Sequence, residues 1–105
     1  MNQQQLILRQ ELTVSQILRI YGKQYTQVQT QYSDGHNGRC ALRVIMSYYG
    51  WDGTDDYDIA KVLFTTMSML RRAGIDEKLI IDMNDAGYTF DEIADHIDRA
   101  NGASR

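Results

Sequence analysis

The chain has 105 residues, of which 43% are hydrophobic and 24% are charged, and its formal net charge at pH 7 is −3. This length and composition are typical of one small globular domain, which we expect to span residues 1–105 with 1–5 and 103–105 frayed. A single cysteine excludes an internal disulfide and a cysteine-rich zinc site, and the sequence contains no apolar run of about 18 residues that could cross a membrane.

Capping residues mark the two ends of a first helix. The segment after it could be a strand or a loop. Thr13 and Gln16 fit a capping box, and Gly22 fits a left-handed residue after a helix, so we predict a helix over 14–21. Residues 25–32 alternate with a period of two and contain good strand formers, which favours one short β segment. No second alternating run offers a partner, so an ordered loop or a helix extension stays an alternative.

From residue 39 onward the apolar spacing is helical. We expect a helix that follows Asn37 as its N-cap, a long one that starts at Thr54 or Asp55, and a short one that ends near Gly87. A last helix opens at Thr89 with a second capping box. The predicted fold class is therefore mainly α, as a single-domain bundle of about five or six short helices, with a β segment near 25–32 as an added feature.

Cys40 is the candidate nucleophile. If Asn37 is the N-cap, Cys40 lies in the first helical turn, where free amides and the neighbouring Arg39 and Arg43 favour a thiolate. His36 would act as a base if its loop folded back onto the thiol. The simpler interpretation makes Cys40 a small core residue, and under that interpretation no residue is catalytic.

We expect no metal and no cofactor. Cys40, His36 and His96, together with an aspartate, could supply zinc ligands, but their spacing follows no zinc motif. The acidic run that starts at Asp52 lacks the glycine and glutamate of a calcium loop. Its carboxylates are better explained as first-turn residues of a helix, where the helix dipole favours negative charge.

An aromatic cluster and an acidic face indicate a protein partner. The chain has seven tyrosines and one tryptophan, residue types that interfaces favour, although the same rings could cover a small core. Residues 75–105 carry eight acidic and three basic side chains. The expected binding residues are the four clustered rings and the four acidic residues of the last helix: Tyr48, Tyr49, Trp51, Tyr57, Asp91, Glu92, Asp95 and Asp98.

Three short motifs carry a family resemblance. The run Gly38-Arg39-Cys40-Ala41-Leu42, the pair Asn84-Asp85 and the segment from Thr89 to Asp95 resemble a group of small uncharacterised proteins, many of them phage-borne. The resemblance covers residues 37–98, and the chain departs from it at Arg43, where many of those proteins have glycine. It implies a mostly helical fold and a phage or mobile-element setting, and it implies no activity. We interpret Asn84-Asp85 as a helix end that bonds local backbone.

Residues 79–97 also resemble the first two helices of a helix-turn-helix domain, but an acidic helix would repel phosphates. We therefore expect a non-catalytic, cytoplasmic, phage-type accessory protein without a secretory signal. It would bind a host or viral protein and modulate a host defence system, as an anti-CRISPR protein does. A homodimer is compatible with this function, whereas nucleic-acid and membrane partners are not expected. The alternatives are a thiol-dependent enzyme or redox protein centred on Cys40, and a small dimeric DNA-binding regulator that uses Arg39, Arg43, Arg71 and Arg72.

Overall fold

The computed structural model describes residues 12–54 and 59–101. Within these ranges the fold is mainly helical, which confirms the predicted fold class, and it contains five α-helices and two very short strands. In chain order the elements are α1 (Val14–Ile20) with a 3₁₀ turn (Tyr21–Gln24), β1 (Thr26–Gln27), β2 (Gly38–Arg39), α2 (Ala41–Tyr48), α3 (Ile59–Arg72), α4 (Glu77–Asp85) and α5 (Phe90–Ala100). Tyr57, the predicted helix start at Asp55 and both termini lie outside the described residues.

Both predicted capping boxes are confirmed. The Thr13 hydroxyl accepts the amide of Gln16, whose side-chain oxygen accepts the Thr13 amide at 2.8 Å. Thr89 and Glu92 repeat the arrangement at the start of α5, with distances of 2.9 and 3.1 Å. These reciprocal bonds satisfy amides that the first helical turn leaves without a partner, so they fix where each helix begins.

Two predicted helix ends are wrong. Cys40, and not Asn37, is the N-cap of α2, and the Asn37 side chain instead donates to the carbonyl of Gln24 at 2.7 Å. Gly22 is not left-handed, because α1 continues into the 3₁₀ turn. Gly22 is needed for a different reason: a Cβ at this position would lie 2.7 Å from a ring carbon of Phe90.

The period-two segment forms a strand only at β1. Its partner is β2, and the two strands pair in parallel with Thr26 opposite Gly38 and Gln27 opposite Arg39. Ser33 also forms an antiparallel bridge to Arg39, so β2 pairs both with β1 and with the segment around Ser33. The predicted β segment is therefore confirmed over two residues, and the remaining residues of 25–37 form a loop, which we call the clasp loop.

The core is built around α1, which packs against both α2 and α5, and α3 and α4 contribute one fully buried apolar side chain each, Leu70 and Ile80. None of the described helices is long and apolar enough to cross a bilayer. The apolar residues of the core are Val14, Ile17, Leu18, Cys40, Ala41, Leu42, Val44, Ile45, Met46, Trp51, Leu70, Ile80, Phe90, Ile93, Ala94 and Ile97.

Candidate functional site

Three rings of the predicted aromatic cluster pack in the core or against it: Trp51, Tyr48 and Tyr49. Trp51 is only 5% exposed. Tyr48 and Tyr49 are half-buried and meet edge to face with ring centroids 5.0 Å apart, and the Tyr48 hydroxyl accepts the amide of Leu12 at 3.0 Å. These contacts tie the end of α2 to the start of the described chain. They leave little of the Trp51 ring available to a partner.

Trp51 is the centre of a stack in which rings alternate with guanidinium groups. Arg39 lies 4.2 Å from the ring centroid of Tyr25 and 4.7 Å from that of Trp51. Arg43 lies 4.8 Å from Trp51 and 4.5 Å from Tyr32. We call these five residues the cation–π stack. Such contacts contribute about 0.5–2 kcal/mol each, depending on how far the pair is desolvated.

The cation–π stack holds the clasp loop against α2. Arg39 also donates to the Ser47 hydroxyl, and the indole N–H of Trp51 donates to the carbonyl of Thr54 at 2.8 Å. Both arginines that the DNA-binding hypothesis requires on β2 and α2 are therefore packed against rings. Tyr32, at one end of the stack, keeps 53% of its surface exposed.

Asn84 connects three elements although it is fully buried. Its Oδ1 accepts the side-chain amide of Gln27 at 2.8 Å and the backbone amide of Ala41 at 3.0 Å, while its Nδ2 donates to the carbonyl of Val28 at 2.7 Å. The interpretation that Asn84 bonds local backbone is therefore wrong. The resemblance motifs at Cys40-Ala41 and Asn84-Asp85 meet here in space.

Asp85 holds the clasp loop at a second point. Its Oδ1 accepts the amide of Thr30 at 2.7 Å. Thr30 has φ of 57°, the left-handed region that a β-branched residue rarely adopts. Such a conformation costs about 1–3 kcal/mol and persists only where surrounding contacts enforce it. The bond from Thr30 to Asp85 is one of these contacts.

Cys40 is 4% exposed, and burial raises the pKa of its thiol above the ordinary value, even though the amides of Arg43 and Leu42 act in the opposite direction. A raised pKa keeps the thiol protonated near neutral pH, whereas a nucleophile needs the thiolate. His36 lies in an exposed part of the clasp loop, where its amide donates to Asp34 at 2.8 Å. This environment gives no support to thiol chemistry. Cys40 lines a recess of about 250 Å³ together with residues that include Tyr32, Ile81 and Asp85.

The acidic residues of α5 divide into two pairs. Asp95 and Asp98 accept from Arg19 of α1 at 2.6 and 2.8 Å, so they help to hold the α1–α5 pair together. The Ser15 hydroxyl, followed by Arg19, lowers the pKa of Asp98. Asp91 and Glu92 are exposed. Asp95 is exposed as well, and Asp98 is half-buried.

A groove lies between α4 and α5, and the sequence does not predict it. It has a volume of about 480 Å³, and its apolar wall includes Leu79 and Tyr88, which are 38% and 46% exposed. Helical periodicity alone assigns Leu79 to the core, so the sequence carries no direct signal for its exposure. The remaining residues of the groove are Met83, Glu92, Asp95, His96 and Arg99.

Within the described ranges, no three histidine, cysteine, aspartate or glutamate side chains lie close enough together to hold a metal ion. No family model matches the chain, and no curated protein or solved structure shows significant similarity to it. The geometry and charge of these surfaces are therefore the basis for a functional proposal.

Proposed function

We propose that this chain is a non-catalytic binding protein and that its α4–α5 groove accepts a basic amphipathic helix of a partner protein. The exposure of Leu79 and Tyr88 beside the carboxylates of Glu92 and Asp95 carries the proposal. An apolar floor next to acidic side chains matches the two faces of such a helix, one apolar and one basic.

Burial of the two apolar side chains would supply most of the binding energy. A Leu side chain that moves from water to an apolar site contributes about 1.5–3 kcal/mol when the transfer is complete. Tyrosine is also among the residue types that dominate measured interface energies. Leu79 and Tyr88 are already partly covered, so the gain from each lies below that of a fully exposed side chain.

Charge would guide the encounter and select the partner. Residues 75–105 carry eight acidic and three basic side chains, so this part of the chain attracts a basic surface and repels an acidic one. His96 and Arg99 at the groove keep its local charge from being uniformly negative. We therefore expect association that is faster at low salt, with apolar contacts that persist at high salt.

For the biological setting, we propose a phage-type accessory protein that modulates a host defence system from within the host cytoplasm, as an anti-CRISPR protein does. The resemblance of the motifs around Cys40 and Asn84 to phage-borne proteins supports this setting. An acidic face could in addition occupy a basic nucleic-acid channel on such a target.

A labelled helical peptide of lysine and leucine is a direct probe of the groove. We expect fluorescence anisotropy to show saturable binding that weakens as salt rises, and Leu79→Ser and Tyr88→Ser to weaken it by about tenfold each. Ile20→Ser is the matched control, because Ile20 is 50% exposed on α1 and lies outside the groove. Equal binding by all four proteins would refute the groove as the binding site.

Site-specific crosslinking would then identify the natural partner. A photoreactive residue in place of Leu79 should capture a protein in host cells that the same residue in place of Ile20 does not. The crosslinked segment of that protein should be basic and helical. Capture of the same proteins from both positions, or of an acidic segment, would contradict the proposal.

A further inference from the structure

The recess beside Cys40 is independent of the groove. Its α4 residues Ile81 and Asp85 are one helical turn apart on one side of the helix, whereas Leu79 and Met83 contact the groove from the other side. We propose that this recess binds a planar cation of the guanidinium or amidinium class, which would stack on Tyr32 and pair with Asp85.

The aromatic wall of the recess is the exposed end of the cation–π stack. Tyr32 is held by the guanidinium of Arg43, 4.5 Å from its centroid, and Arg43 is not among the residues that line the recess. Trp51 holds two guanidinium groups, at 4.7 and 4.8 Å, so a ring of this chain already accepts a second cation beside the first. The 53% exposure of Tyr32 leaves it room for the same arrangement.

Asp85 supplies the anion. It is the charged residue among those that line the recess, and no basic side chain shares the lining. The bond from the left-handed Thr30 to Oδ1 fixes the carboxylate in place. A carboxylate accepts through both of its oxygens, so Asp85 can receive the N–H groups of a bound cation while it keeps its bond to Thr30.

The remaining lining of the recess favours a flat, weakly hydrated cation. Cys40 and Ile81 are apolar there, and the Asn84 side chain is already bonded to Gln27, Ala41 and Val28. A guanidinium stacks on such surfaces through its faces and donates through its edge, whereas an ammonium holds its water more strongly. The chemistry is the same for an arginine side chain of a protein and for a free guanidine compound.

The test uses the full chain and N-acetylarginine amide as the probe, with N-acetylcitrulline amide as its neutral counterpart. Titration followed by ¹H–¹⁵N NMR should give saturable shifts at Thr30, Tyr32 and Asp85 with the arginine compound, and at least about tenfold weaker binding with the citrulline compound. Asp85→Asn keeps an acceptor for Thr30 and removes the charge, so we expect a similar loss of affinity in a folded protein. Tyr32→Leu should also weaken binding.

Asp82→Asn is the matched control on α4, because Asp82 is exposed and pairs with Lys78 at 2.8 Å outside the recess. Its affinity should equal that of the unmodified chain. Absence of saturable shifts, equal binding of citrulline, or full affinity in Asp85→Asn would overturn the proposal. An arginine-containing peptide that binds much more tightly than the amide would indicate a protein source for the cation, and equal binding would indicate a small molecule.

Discussion

The α1–α5 pair and the clasp loop are held by different kinds of contact. Apolar side chains such as Ile17, Leu18 and Ile93 on α1 and α5 are fully buried, and a capping box closes the N-terminal end of each helix. The clasp loop contributes few large buried apolar side chains. Asn84, Asp85 and the cation–π stack hold it instead. The first region depends on area removed from water, and the second on a small number of polar contacts.

This difference determines how each region responds to substitution. Loss of a little apolar area changes stability gradually, because many neighbours share the contact. Removal of one buried polar group leaves each of its former partners unsatisfied, and each costs about 1–3 kcal/mol. Substitutions should therefore affect the stability of the clasp loop at few positions, with a large loss at each of them.

The largest effect is expected for Asn84→Leu, which keeps the approximate volume and removes every hydrogen bond of the side chain. The amide of Ala41 and the carbonyl of Val28 would lose their partner. We expect the free energy of unfolding in urea to fall by about 3–5 kcal/mol. Asp82→Ala on the exposed face of the same helix should change it by less than about 0.5 kcal/mol. A loss below about 1 kcal/mol in Asn84→Leu would show that Asn84 is not the main anchor of the loop.

The same contrast explains what the sequence could predict. The capping boxes link Thr13 to Gln16 and Thr89 to Glu92, three residues apart, so a local pattern is sufficient to identify them. The Gln27, Val28 and Ala41 partners of Asn84 lie 43 to 57 residues away, and no spacing rule connects them. The available signal is that Asn84 follows Ile80 by one helical turn and so shares its inward face.

The candidate sites were harder to predict than the fold. Tyr48, Tyr49 and Trp51 stand out by residue type, but type alone does not separate a buried ring from an exposed one. The groove depends on the angle at which α4 meets α5, and the recess depends on the path of the clasp loop. Both are tertiary features, whereas sequence periodicity reports only the face of each element separately.

Gly22→Ala tests the α1–α5 side of the comparison. The new Cβ would lie 2.7 Å from a ring carbon of Phe90, so the ring or the 3₁₀ turn has to shift. We expect a loss of about 1–3 kcal/mol in urea unfolding. A smaller side chain should relieve the clash, so Phe90→Leu should cost less in the Gly22→Ala background than in the unmodified chain. Additive losses would show that the two residues do not compete for space.

Arg39→Met tests the cation–π stack. Methionine keeps an apolar chain between Tyr25 and Trp51, but it removes the positive charge and the bond to Ser47. We expect a loss of about 1–2 kcal/mol and a changed fluorescence of Trp51, the one tryptophan of the chain. Arg72→Met on α3 is the control and should alter neither quantity. An unchanged Trp51 signal in Arg39→Met would argue against the stack.

The smallest effect is expected at the ion pairs between α1 and α5. Arg19→Met removes the partner of Asp95 and Asp98, whose contacts are partly exposed, so we expect a loss of about 0.5 kcal/mol at neutral pH. The Ser15 hydroxyl and Arg19 hold the pKa of Asp98 below its ordinary value of 3.8. The stabilisation from Asp98 is therefore complete above about pH 4 and is lost as the pH falls through the folded-state pKa.

The pH dependence separates this ion pair from simple packing of the Arg19 side chain. If charge accounts for the effect, the stability difference between the unmodified chain and Arg19→Met should shrink in urea unfolding below pH 4, as Asp98 becomes protonated. If the methylene groups of Arg19 account for it, the difference should stay constant with pH, because their burial does not titrate. A difference that grows in acid would contradict both explanations, because neither lets Arg19 stabilise the fold more once Asp98 is neutral.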